Sequence, residues 1–184
     1  MQRLSIMAIV IGVFMLPLIS GKAKNQLQHE IPDAVKVFGG FRSGLALFDM
    51  DNDGDLDCVS TVTEDYDKSV PSVTYVWLLK AVNGHKAKNI SFYVRGSDTP
   101  GEFLFKDKNA DGPLQSGTYL YSDYKDCLIL GMPYGNSQEC MMWISWEAKD
   151  QPPQDCTDQY EDNCEDGKLA FDEATCSPFF LKNE

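Results

Sequence analysis

Histidine is nearly absent from this chain. Its 184 residues include two, His29 and His85, and neither lies beside a cysteine. A zinc centre of mixed His and Cys ligands is therefore not expected. Positive charge is scarce too: 16 Lys and Arg stand against 28 Asp and Glu, a net charge of -12. Such a surface repels phosphate backbones and anionic lipid, so neither nucleic acid nor a membrane is an expected partner. It is compatible with drawing in cationic small molecules. No Gly-x-Ser-x-Gly elbow, phosphate loop or plausible catalytic triad is present, so the expectation is no enzyme and no cofactor. Internal repeats are lacking, and no apolar run after residue 20 is long enough to cross a bilayer.

What is there begins with a leader. Arg3 precedes an apolar run from Leu4 to Ser20, and small residues follow at Ser20, Gly21 and Ala23. Residues 1–21 read as a signal peptide, which implies a secreted, extracellular chain with one domain over residues 22–184. The six cysteines fit that compartment, because thiols oxidise and stay oxidised outside the cytosol. Cys58 stands alone; Cys127, Cys140, Cys156, Cys164 and Cys176 crowd the last third. Their even number implies a disulfide framework pinning a C-terminal segment to the body.

The body reads as strands. Eight short stretches are rich in Val, Ile, Thr, Tyr, Phe and Trp: 44–49, 56–63, 72–80, 89–95, 102–106, 117–122, 127–132 and 140–147. Turn residues separate them, among them Asp53-Gly54, Asn83-Gly84 and Asp111-Gly112-Pro113. Short helices are expected over 32–38 and 153–165, the second begun by Pro153 and ended by Gly167, with a tail strand near 168–171. Eight strands at this spacing fit a sandwich or an up-and-down barrel.

The stretches SVTYVWLLK, YSDYKDCLILGMPYG, ECMMWISWE and PPQDCTDQYEDNC resemble those of the tick salivary lipocalins, the group that includes the histamine-binding proteins. The likeness runs from about Gly44 to Cys176. It implies a mainly β fold: an eight-stranded antiparallel lipocalin barrel with a short N-terminal helix and a disulfide-tethered C-terminal helix. It also implies the pairs Cys58–Cys176 and Cys127–Cys156, leaving Cys140–Cys164 for the two additional cysteines. A monomer is expected. The implied role is capture of a small host mediator, whether lipid mediator, sterol, fatty acid or biogenic amine, so as to counter host inflammation or immunity. Some members instead bind a host immune protein through their outer surface.

Amine-binding members carry two inward acids on the last strands. Here Leu128 and Met141 stand in those places, while Trp143 is kept. A desolvated ammonium needs a paired carboxylate, so the exchange favours an apolar or amphipathic ligand over histamine. Tyr75 and Trp77 share one strand face, Phe103 and Phe105 another, Met141 and Trp143 a third. These six are the candidate ligand-binding residues, although large apolar side chains also simply fill barrels. An amine binder using other acids, such as Asp57, Glu64 or Asp123, is the alternative, as is a protein-binding immune modulator.

Two further motifs stand apart. Asp49, Asp51, Asp53 and Asp57, with Gly54, match part of a calcium loop, but Ser60 occupies the position where a bidentate Glu is required. A tight acidic hairpin between the first two strands explains the Asp-Gly pair equally well, so no metal is expected. Asn89-Ile90-Ser91 is a glycosylation sequon, which makes Asn89 a candidate for sugar in a glycoprotein.

Overall fold

A computed structural model describes residues 27–164 and 167–180. The leader expected over residues 1–21 lies outside the described residues. The chain opens with helix α1, Ala34–Gly40, whose first turn is capped by the Asp33 carboxylate accepting from the Val35 and Lys36 amides. Eight strands follow: β1 Ser43–Asp49, β2 Ser60–Asp67, β3 Ser72–Leu79, β4 Lys88–Gly96, β5 Glu102–Asp107, β6 Gln115–Ser122, β7 Cys127–Tyr134 and β8 Ser137–Ile144. Helix α2, Gln154–Asn163, strand β9, Lys168–Leu169, and helix α3, Glu173–Cys176, complete it.

Each strand from β2 to β8 pairs antiparallel with the next, β8 pairs with β1, and β1 pairs with β2. The sheet is therefore a closed eight-stranded barrel, which leaves no long open edge. Alternation divides its side chains into two cores. Inward residues such as Trp77, Phe105, Leu130 and Trp143 form the interior cluster. Outward residues such as Ile129, Met142 and Ile144 form a second cluster against α2 and the tail.

The outer cluster holds the disulfides. Cys127 of β7 joins Cys156 of α2, Cys140 of β8 joins Cys164 at the end of α2, and Cys58 joins Cys176 of α3. Tyr160 of α2 stacks on Phe48 of β1 at 5.3 Å and donates to the Cys140 carbonyl. These ties turn a weakly apolar helix into part of the wall.

Both barrel ends are covered. At one end Val37 and Phe38 of α1 are fully buried in the interior cluster. At the other, residues 50–59 fold over the mouth and bury Leu56 and Val59 completely.

Four sequence expectations change here. The second strand begins at Ser60 instead of residue 56, because 50–59 form this long loop in place of a tight hairpin. Asx hydrogen bonds run through it from Asp49 to Asp55, and Cys58 takes a positive φ of 61°. The eighth strand ends at Ile144, and Trp146–Ala148 form a 3₁₀ turn capped by Ser145. Pro153 is the cap of α2 and sits before its first turn. Gly167 does not end that helix: Cys164 does, and a side chain on Gly167 would strike the Tyr160 hydroxyl.

Candidate functional site

The barrel interior is the candidate site, and strand register builds it. Thr61 pairs with Trp77, Tyr75 with Phe92, Val94 with Phe105, and Leu128 with Trp143. Paired residues share a face, so each of these pairs points inward.

The inward rings touch one after another. Trp143 meets Trp77 with centroids 5.1 Å apart, Trp77 meets Phe92 at 4.9 Å, and Phe92 meets Phe105 at 5.9 Å. Phe105 meets Phe103 at 5.8 Å, and Phe103 stacks on Tyr119 at 4.4 Å. Gly117 permits the last stack, because a Cβ there would collide with the Phe103 ring. The free volume left among these side chains is about 40 Å³. That is room for a few water molecules.

Thirteen of the described residues line this space and none of them is Asp or Glu. Tyr75, Trp77, Phe103, Phe105 and Trp143 are among them. Met141 is fully buried in the same interior cluster yet does not reach the cavity. Sequence reasoning did not select Phe41, Thr61, Phe92, Tyr119 or Met132. For Phe92 the alternation of β4 carried a signal; Phe41, after the helix, carried none.

Polar groups at the cavity are few. The Tyr75 hydroxyl donates to the Phe41 carbonyl at 3.1 Å, and burial pushes its pKa above the usual phenol range. Tyr119 is shifted upward by the same cause. The Thr61 hydroxyl and the Trp143 indole nitrogen are buried without a hydrogen-bond partner among the described residues.

The mouth loop is held by charge. Tyr134 of β7 donates to Asp55 at 3.0 Å, and Lys88 of β4 lies 3.5 Å from the same carboxylate. Asn83 donates to Gly54 O and to Asp57 at 2.6 Å. Lys168 of β9 sits 2.9 Å from Asp57 and 3.9 Å from Asp51. Of the acids singled out in the sequence, Asp51 and Asp53 come together with Asp55, their oxygens within 4.8 Å of one another. Asp57 is turned to Lys168, and Asp49 is buried beneath the loop. Burial raises the Asp49 pKa to about 7, against the opposing pull of Lys168. Of the other acids weighed for an amine, Asp123 caps the β6–β7 turn, accepting from the Lys125, Asp126 and Cys127 amides, and Glu64 is exposed. Asn89 is exposed on β4.

The family model of the tick histamine binding protein matches residues 48–178. The chain belongs to this family. No curated protein matches it. Among solved structures it is similar to Japanin from Rhipicephalus appendiculatus bound to cholesterol, with a TM-score of 0.53 and 14% identity over 72% of this chain and 94% of Japanin. It is also similar to AM182 in its serotonin complex, with a TM-score of 0.54 and 16% identity over 79% of this chain and 95% of the other. At that identity the likeness is one of fold, and the fold is that of a lipocalin.

Proposed function

We propose that this member of the tick histamine binding protein family is a secreted monomer that sequesters a small host mediator inside its barrel. The ligand is apolar or amphipathic and uncharged where it is buried. One observation carries the reading: the cavity wall is ring-lined and, among the described residues, has no carboxylate. An ammonium placed there would lose its hydration without a paired anion. The structural neighbours hold a sterol in one case and an amine in the other, so the fold alone does not choose.

Sequestration needs no turnover. It needs an apolar chamber, and a mediator-sized ligand enters this one only by displacing ring side chains. The mouth loop is fastened by ion pairs and side-chain hydrogen bonds on its outer side and by the Cys58–Cys176 bridge and the buried Leu56 and Val59 beneath. Capture of the mediator would counter host inflammation or immunity, and sugar on the exposed Asn89 is compatible with that extracellular role.

The small free volume also favours a second reading. A barrel already packed by its own rings leaves the outer loops to act, through a host immune protein. Native mass spectrometry of the secreted protein separates the two. Sequestration predicts a co-purifying apolar mass, or uptake of one when fatty acid or sterol is added. A barrel that stays empty throughout, while the protein still acts on immune cells, would favour the outer surface.

A further inference from the structure

Two polar groups in residues that line a largely apolar chamber are left unpaired among the described residues. Thr61 is 3% exposed and Trp143 2% exposed, both line the cavity, and neither Thr61 Oγ1 nor Trp143 Nε1 has a hydrogen-bond partner among the described residues. They stand on the two strands that flank β1: Thr61 pairs with Gly44 of β1, and Trp143 with Ala46 two residues on. Buried polar groups are almost always paired, and an orphan is a cost that something must justify. The contrast with Tyr75 is direct, since its hydroxyl is already taken by the Phe41 carbonyl.

We propose that Trp143 and Thr61 are the polar contacts of the ligand, which therefore carries a neutral carbonyl, ether or hydroxyl oxygen on an apolar body. This rests on the reading of the barrel as a ligand chamber and adds the chemistry of the ligand's polar end. An indole N–H only donates, so it requires an acceptor and rejects an ammonium group. The Thr61 hydroxyl both donates and accepts, so it serves a carbonyl or a hydroxyl alike. A ligand bearing such an oxygen satisfies groups that the free protein leaves unpaired, whereas a hydrocarbon of the same shape leaves them so.

The test is calorimetric titration of the intact, disulfide-bonded protein with three compounds of matched shape: 2-acetylnaphthalene, 2-ethylnaphthalene and 2-naphthylmethylamine. The ketone should bind most tightly, about three- to tenfold better than the hydrocarbon. Trp143→Phe and Thr61→Val should each bring the ratio of ketone to hydrocarbon affinity close to one. Thr61→Val keeps the side-chain shape, so it covers the case in which Trp143→Phe misfolds. In the absence of ligand it should leave the melting temperature unchanged or raise it, because an unpaired hydroxyl is removed. If ketone and hydrocarbon bind equally and neither variant distinguishes them, the polar contact is wrong while the chamber stands. If the amine binds best, or if none of the three binds, the neutral-ligand reading falls with it.

Discussion

Trp77 of β3 and Trp143 of β8 meet inside the barrel with ring centroids 5.1 Å apart, and both line the cavity. They are the first link in a run of rings that ends at Tyr119. Packing of this kind supports the fold and occupies the space that a ligand would need. Removing one ring should trade one for the other. Trp77→Ala should cost about 3–5 kcal/mol of stability, read by urea unfolding, and should widen the chamber. Uptake of an apolar compound by the variant should restore part of the loss. A stability equal to the parent's would mean that Trp77 does not pack as described.

The disulfides should matter unequally for the mouth and the wall. Cys58 ends the mouth loop and is tied to Cys176, a separation of 118 residues. Replacing both by Ala should cost about 2–5 kcal/mol, lower the melting temperature by many degrees and free the tail. Replacing Cys127 and Cys156 should instead loosen α2 from the wall. Hydrogen exchange distinguishes the two: the first change should expose amides of residues 56–60, the second those of α2.

Asp49 should give the protein a pH dependence. Its folded pKa of about 7 lies above the ordinary 3.8, because burial penalises the charged form. The stabilising contribution of its protonated form is full below 3.8 and is lost as pH rises through 7. This group should therefore lower the melting temperature as pH rises from about 4 to about 7, where Asp49→Asn should show a flatter profile. A profile that rises over that range in the parent and is unchanged by the substitution would contradict the assignment.

Leu128 and Met141 occupy the places of the acids in the amine-binding pattern, but they are not equivalent. Leu128 reaches the cavity and Met141 lies behind it. Leu128→Asp should raise histamine affinity about tenfold or more, as expected of one charge-assisted hydrogen bond. Met141→Glu alone should raise it less and should destabilise more, since it buries a charge in close packing. Calorimetry and thermal unfolding of the two variants check the order.

The inner faces of the strands could be read from the sequence because side chains alternate strictly along a strand. That is how Tyr75 with Trp77, Phe103 with Phe105, and Met141 with Trp143 came to be grouped. The same periodicity is blind to depth: Met141 and Trp143 share a face, yet only Trp143 touches the cavity. Thr61 was overlooked for a related reason, being an ordinary strand residue whose importance lies in what fails to bond with it. The Asp-Gly pair at 53–54 signalled a turn, but the Asx hydrogen bonds that extend the loop to residue 59 depend on side-chain rotamers. The cysteine pairs Cys58–Cys176, Cys127–Cys156 and Cys140–Cys164 are those the family likeness implied; their spacing alone left many pairings open. The free volume of the chamber was beyond reach, because it is a small difference between ring volumes and barrel size.

The central claim is that the chamber takes a neutral, largely apolar ligand in preference to an amine. The most direct measurement is calorimetric titration of the unmodified protein with histamine and serotonin on one side, and a sterol and a long-chain fatty acid on the other. The account predicts weak or undetectable heats for both amines and saturable, one-to-one binding of at least one of the others. Nanomolar histamine or serotonin binding would contradict it, and would mean that carboxylates outside the cavity wall reach the ligand.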